Sequence, residues 1–350
     1  MKAVQHVYNL NRKELWKELP LRTPYHISIE ATFRCNSRCN YCIHAMDAKE
    51  LERRGYKLQD MDWDVFEKII ASINEFEDNI QSVVFSGLGE PLVNKRLPEM
   101  VSRLKKTGKV EKTLLITNGL LLTPETGQAL IDAGLDICKI SLQGMVAEKY
   151  KEICNVKMDW EEFYSNIVYF SEHKGQTVLK AKIGDTCLRE GDDNLFYEKF
   201  GSICDYVDIE HIYPQFDGVD YSNTVYADAG KNRFWHEMKQ LHVCSPLFFR
   251  LYVLQDGRVT FAYPDGVTYE GFNLHARSLR EIWESDETKD MWIRALKHEL
   301  PVCQKCPRWA YSAHPLDIID GHEGELLDKL QAPTGRVGKR EVLCIESNIC

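Results

Sequence analysis

Over the first two thirds of the chain, short β-rich apolar runs alternate with longer stretches of helical periodicity. The first run is HISIEAT at 26–32. Val65, Phe66, Ile69, Ile70 and Ile73 then recur at helical spacing and predict a helix over 62–78, capped by Asp62 or Asp64. SVVFSG at 82–87 predicts a strand, followed by a helix across 95–107, and TLLITNG at 113–119 predicts the next strand. Thr123 and Pro124 open the following helix, as cap and first helical residue. Strands at 136–144, 177–185 and 206–212 continue the series, with helices at 160–173 and 192–200 between them. Such repeated βα units predict a largely parallel sheet. Six units are fewer than the eight of a closed barrel. The pattern alone admits a laterally open partial barrel or a doubly wound sheet.

After Pro214 the composition shifts. Residues 214–243 are rich in Asp, Gly, Asn and aromatics, and read as a bridging segment. FFRLYVLQDGRVTFAYPDG at 248–266 has the form of a β-hairpin about Asp256-Gly257. A helix containing Leu279, Ile282 and Trp283 follows, and the tail from 317 to 350 carries little pattern. The expected division is an N-terminal segment 1–24, a βα core 25–213, the bridge 214–243, a small α+β unit 244–316 and the tail 317–350.

Of the 350 residues, 44% are apolar and 28% charged, which argues against global disorder. The formal charge of -9 does not suit a protein that grips nucleic acid through a broad basic surface. No run reaches the roughly 18 apolar residues of a spanning helix, and the first residues lack a signal-peptide pattern. The expectation is a cytoplasmic protein. In that reducing compartment its 12 cysteines point to thiolate ligands before disulfides.

Three of those cysteines, Cys35, Cys39 and Cys42, lie in one polar loop directly after the first strand. Three thiolates so close can converge on one metal centre. Zinc would require a fourth ligand, for which His44 is nearby. An iron–sulfur cube takes one ligand per iron and would leave one iron open. Spacing leaves both readings standing.

The CxxxCxxC spacing, with Tyr41 before the last cysteine, closely resembles the cluster motif of the radical S-adenosylmethionine (SAM) superfamily. Ser86-Gly87-Leu88-Gly89-Glu90-Pro91, at the end of the second strand, is similar to that family's Gly-Gly-Glu-Pro segment. The resemblance covers roughly residues 25–212 and implies a partial (β/α)6 barrel. It also implies a [4Fe-4S] cluster with one open iron that chelates SAM, and a flavodoxin- or ferredoxin-type electron donor. By the same carry-over, Gly87, Gly89, Glu90 and Pro91 would hold the methionyl amino group of SAM. Thr117, Asn118, Ser141 and Lys180 (or Lys182) would contact its other polar groups, and Tyr41 would project toward the adenine. Independently, the glycines permit a close backbone approach and Glu90 can pair with an ammonium.

Cys244, Asp256-Gly257, Leu279-Arg280-Glu281-Ile282-Trp283 and Cys303-Gln-Lys-Cys306 follow in the order of the C-terminal extension called SPASM, or of its shorter form, twitch. Ala262 stands where those extensions carry a cysteine, and Ser312 and Leu316 interrupt the fuller SPASM continuation. The resemblance therefore implies at most one auxiliary [4Fe-4S] cluster on Cys244, Cys303 and Cys306. Its fourth site would be open to substrate or filled by Cys187, Cys344, Cys350 or Asp265. Zinc at Cys303 and Cys306 is the alternative.

The implied reaction begins with reductive cleavage of SAM to a 5′-deoxyadenosyl radical, which abstracts hydrogen from a substrate C–H bond. Glu210, His211 and Asp265 are the candidate bases, with strand alternation sending Glu210 and His211 to opposite faces. The expected substrate is a small molecule, a sugar or aminocyclitol alcohol, because few residues precede the first strand. A ribosomal-peptide maturase is the alternative, and a non-catalytic iron–sulfur protein the non-enzymatic one. Neither a membrane nor a nucleic-acid partner is expected.

Overall fold

Six strands follow one another across a sheet in the order in which they occur in the chain: β1 (His26–Ile29), β2 (Ile80–Phe85), β3 (Val110–Thr117), β4 (Ile137–Leu142), β5 (Val178–Gly184) and β6 (Tyr206–Glu210). Each is parallel to the next. The architecture comes from a computed structural model, which describes residues 13–222, 230–233, 237–304, 306, 308–331 and 343–344. A doubly wound sheet reverses its strand order at a switch point. The consecutive order here has none, and gives instead a partial (β/α) barrel with a C-terminal α+β extension.

The helices Trp63–Glu75, Leu97–Lys106, Pro124–Asp132, Trp160–His173 and Asp192–Ile203 occupy the connections. Thr123 caps the third of these through the Thr126 N–H, with Pro124 at the first helical position. Alternation along β4 shows the two faces of the sheet: Cys138, Ile140 and Leu142 are buried, while Ile137, Lys139 and Ser141 are partly exposed. The buried set packs into the main apolar core. The other set belongs to the face that carries Lys180 and Lys182 on β5, so the barrel lining is polar where it nears β6.

The hairpin does not start a sheet of its own. β7 (Arg250–Val253) pairs parallel with β1 on the side away from β2, with Ile27 opposite Leu251. β8 (Val259–Phe261), β9 (Val267–Thr268) and β10 (Leu343–Cys344) continue antiparallel, completing ten strands. Gly257 takes the left-handed φ of +85° that the predicted Asp-Gly turn requires. The extension is thereby hydrogen-bonded to the barrel's first strand, and the two cysteine-bearing regions share one sheet.

Leu279–Trp283 begins with a capping box between Ser278 and Glu281. The helix Asp286–Leu296 follows it, and the two tryptophans they carry lock the extension down. Trp283 Nε1 donates to the Leu21 carbonyl (3.0 Å) and Trp292 Nε1 to that of Leu247 (2.8 Å). Burial of such side chains is worth about 1.5–3 kcal/mol each by area; the Trp283 bond ties the extension to the N-terminal segment, and the Trp292 bond ties the extension together internally. Among the helices that periodicity did not predict are Ala147–Cys154 after β4 and Glu323–Gln331 in the tail. No helix among the described residues is long and apolar enough to cross a membrane.

Candidate functional site

β1 ends immediately before the first cysteine loop, and the Gly-rich segment ends β2 beside it. Their approach is too close for any side chain at Gly89, where a Cβ would sit 2.1 Å from the Thr32 carbonyl oxygen. At Gly87 a Cβ would lie 2.8 Å from Glu30 Oε1. The Glu90 N–H donates to the Arg34 carbonyl (2.9 Å), one residue from Cys35. Thr32 secures the base of the loop through Asp60 (2.7 Å). The glycines thus act first on the backbone, seating the Glu90 segment against the cysteine loop.

Glu90 is buried and caps the short turn Pro91–Val93. Its carboxylate accepts from the Thr117 hydroxyl (2.6 Å), the Asn118 N–H (2.7 Å) and the Leu92 N–H (3.0 Å). Burial raises its pKa, and these donors oppose the rise. Asn118 Nδ2 reaches back to Asn36 Oδ1 inside the cysteine loop (2.7 Å). Gly87, Gly89, Glu90, Pro91, Thr117 and Asn118 therefore meet the loop of Cys35, Cys39 and Cys42 at one end of β1, β2 and β3. Ser141 ends β4 on the barrel-lining face, and Gln143 donates to its carbonyl (3.1 Å). The Tyr41 hydroxyl donates to Gln143 Oε1, a partner that spacing did not reveal. Lys180 is placed differently, with its ammonium 4.8 Å from the Tyr206 ring centroid.

Within the loop, the Ser37 hydroxyl lies 3.4 Å from Cys35 Sγ and 3.8 Å from Cys39 Sγ. Burial raises the pKa of Cys42 to about 12, and the nearby Cys39 and Cys35 add to the rise. Among the described residues no three ligating side chains close on a single ion-sized point. Three largely buried thiols in one loop, next to a buried carboxylate, fit a cluster with a ligand beside it. Two more thiols stand behind Cys39. Cys154 hydrogen-bonds it from the end of Ala147–Cys154, whose last two carbonyls accept the Arg38 and Asn40 N–H groups. Cys187 is fully buried, contacts Gln143 (3.7 Å) and is raised to about 12 by burial and by Cys39. That places Cys187 at the first cysteine site and corrects its candidacy at the auxiliary one.

Cys244, Cys303 and Cys306 line one pocket, together with Ala262, Asp265 and Arg308. Cys244 and Cys303 hydrogen-bond each other, which raises the pKa of Cys244 and lowers that of Cys303. Burial pushes Cys306 up. Three thiols lining one pocket again fit a cluster in the chemistry of the donor set. Ala262 leads the turn after β8 with a φ of +69°. Asp265 has both oxygens engaged by Arg308, one of them at 2.7 Å, so the geometry gives it a structural partner rather than a free lone pair for iron or a proton. Arg308, missed in the sequence, also donates to the Gln215 carbonyl (3.0 Å) and so ties the bridge to the extension. Cys350 lies outside the described residues.

Glu210 and His211 meet different partners. Glu210 is buried and accepts from Lys139 (3.0 Å), Lys182 (2.8 Å) and Arg233 (2.6 Å). Burial opposes its charge, but the three cations outweigh it and hold the carboxyl well below the usual range. His211 Nδ1 lies 2.6 Å from Asp185 Oδ2. The three-cation cluster is invisible to spacing because it joins β4, β5, β6 and the bridge. Glu30 was missed for a similar reason. It follows β1, accepts from the Leu88 N–H (2.7 Å), and burial raises its pKa to about 8.

Comparison with known proteins agrees with this geometry. Residues 29–183 match the family model "Radical SAM superfamily", and residues 244–307 match the "iron-sulfur cluster-binding domain" called SPASM. A tungsten-containing aldehyde ferredoxin oxidoreductase cofactor-modifying protein of Pyrococcus furiosus is 32% identical over 37% of this chain and 38% of its own length. A PqqA peptide cyclase of Bradyrhizobium diazoefficiens is 37% identical over 35% of this chain and 29% of its own. The match thus spans well under half of these relatives. The crystal structure of Streptococcus suis SuiB bound to its precursor peptide SuiA superposes with a TM-score of 0.53 at 16% identity, covering 78% of this chain and 67% of that one. Proteins of these two families bind SAM and one or two [4Fe-4S] clusters, groups that the two cysteine sites fit. The chain belongs to the radical SAM superfamily and carries a C-terminal iron–sulfur extension of the SPASM type.

Proposed function

We propose that this chain is a radical SAM enzyme that modifies a ribosomally made peptide or protein, fed by a flavodoxin- or ferredoxin-type donor. The observation that carries the reading is the pairing of the two cysteine sites on one sheet with relatives whose names point to peptides. It displaces the expectation of a sugar or aminocyclitol alcohol, which rested on the short N-terminal segment. When bound, a cluster of this class supplies reductive cleavage of SAM to methionine and a 5′-deoxyadenosyl radical. Cys35, Cys39 and Cys42 would hold it, leaving one iron for SAM. Glu90 would accept the SAM ammonium while Thr117 and Asn118 orient the carboxylate. A substrate reaching from Ser141 toward Cys306 would pass the polar lining at Glu210, Lys182 and Arg233. Cys244, Cys303 and Cys306 would hold the group that takes the second electron of an oxidation.

The test incubates the reconstituted protein, SAM and dithionite with pools of defined peptides, with GTP, and with aminocyclitols. Peptide-stimulated 5′-deoxyadenosine formation, accompanied by a mass change in the peptide, is the expected result. Stimulation by aminocyclitols or GTP and by none of the peptides would contradict it.

A further inference from the structure

The extension carries three buried indoles, Trp283, Trp292 and Trp309. The first two have acceptors within the protein, the carbonyls of Leu21 and Leu247. Trp309, in the short helix Arg308–Ser312, is only 5% exposed, yet its buried Nε1 has no acceptor. A buried indole N–H ordinarily finds a partner, because leaving it unpaired costs free energy. Trp283 and Trp292 belong to the main apolar core, and Trp309 does not. It lines instead the pocket of Cys244, Cys303 and Cys306. We infer, on the reading of this pocket as the auxiliary cluster site, that the Trp309 indole N–H donates a hydrogen bond to a sulfur of that cluster and raises its reduction potential.

The other polar side chains on the described pocket wall are committed elsewhere or exposed. Asp265 and Arg308 bind each other, and Arg308 also holds the Gln215 carbonyl. The Tyr263 hydroxyl lies 3.2 Å from Ser312 Oγ. His242 is exposed, and its ring packs edge-on against His298 with centroids 5.7 Å apart. Trp309 is thus the buried donor with its full capacity to spare. Cluster sulfurs carry partial negative charge, and reduction adds to it. A fixed N–H dipole therefore stabilises the reduced form over the oxidised one, and hydrogen bonds to the sulfurs are among the factors that set a cluster's potential. In an oxidation, the substrate radical would lose one electron to the oxidised auxiliary cluster and one proton to solvent. The Trp309 N–H makes that acceptor stronger, whichever class of substrate the enzyme takes.

The test uses the full chain with Cys35, Cys39 and Cys42 replaced by alanine and reconstituted with iron and sulfide, so that only the auxiliary cluster contributes to the spectrum. The protein is made with tryptophan labelled by nitrogen-15 in the indole, and pulsed paramagnetic resonance is recorded after reduction with dithionite. A nitrogen-15 coupling is expected, lost in Trp309→Phe and kept in Trp283→Phe. In a potential titration, Trp309→Phe should hold the same iron but reduce less readily. At the midpoint potential of the parent protein, its ratio of reduced to oxidised cluster should fall about tenfold, a shift of about 59 mV for one electron. Trp283→Phe should keep the parent midpoint. Loaded protein without a nitrogen-15 coupling overturns the inference, as does an unchanged or raised midpoint in Trp309→Phe. The coupling is read with Trp309 in place, so it decides the matter even where Trp309→Phe fails to hold iron. A parent protein that binds no iron would overturn the cluster site and the inference with it. None of these readouts depends on the substrate, so they fail or succeed separately from the peptide-modifying reading.

Discussion

Replacing Gly89 by alanine tests whether the Gly-rich segment works by backbone approach. The added Cβ would meet the Thr32 carbonyl oxygen at 2.1 Å, and the Arg34 carbonyl oxygen and the Phe33 carbonyl carbon at 2.8 Å. All three are backbone atoms, so no rotamer change relieves the clash. The segments must separate, stretching the 2.9 Å bond from the Glu90 N–H to Arg34. Overpacking of this kind costs about 1–3 kcal/mol, and the strained hydrogen bond adds about 0.5–1.5 kcal/mol. The total is about 1.5–4.5 kcal/mol. If half of it falls on the geometry of Glu90 and Cys35, SAM affinity drops roughly tenfold, since about 1.4 kcal/mol is a factor of ten. Equilibrium dialysis with SAM on the reconstituted variant measures this, alongside its melting temperature. Gly201→Ala is the control, because Gly201 sits inside a helix with nothing within 4 Å of the added Cβ. It should gain about 0.5–1 kcal/mol of stability and keep SAM affinity. Wild-type SAM affinity and stability in Gly89→Ala would refute the close-approach account.

Thr117→Val removes a donor to the buried Glu90 carboxylate and should cost about 1–3 kcal/mol, read by chemical denaturation and by weaker SAM binding. Glu210→Gln leaves Lys139, Lys182 and Arg233 around a neutral amide, and should destabilise by about 3–5 kcal/mol at pH 7. Because the Glu210 pKa is depressed, the deficit should be present above the ordinary carboxylate range and should shrink as pH falls below it, as a denaturation series in pH would show. Glu30 has the opposite sign. Its pKa is raised to about 8, so the folded state holds a proton the unfolded chain has lost, and stability falls between about pH 4.5 and 8. Glu30→Gln should flatten that slope, by at most about 1.4 kcal/mol per pH unit.

Much of the barrel was legible because burial on one face stamps a period on the sequence. The helix Trp63–Glu75 buries Val65, Phe66, Ile69, Ile70 and Ile73, the residues that announced it. The strand ends were overestimated where polar residues continue the run. β1 stops at Ile29 with one further backbone bond, from the Glu30 N–H to the Val253 carbonyl (2.9 Å), while the side chains of Glu30 and Thr32 bind Leu88 and Asp60. The junction of β7 with β1 was not legible, because pairing between strands more than 200 residues apart leaves no local pattern. The same holds for Arg308 with Asp265, for the cations about Glu210, and for Cys187 beside Cys39. The cysteine loop and the Gly-rich segment were readable because their chemistry is local, and the residues that anchor them came only from the fold.

The account's central claim is that Cys35, Cys39 and Cys42 present an iron to SAM beside Glu90. Pulsed paramagnetic resonance on the reduced protein, with SAM labelled by nitrogen-15 at its amino group, tests it most directly. To isolate this cluster, Cys244, Cys303 and Cys306 are replaced by alanine. The account predicts a nitrogen hyperfine coupling that signals direct ligation, weakened in Glu90→Ala and lost when Cys35, Cys39 and Cys42 are also replaced. A reduced cluster that shows no coupling to SAM nitrogen at saturating SAM would contradict it.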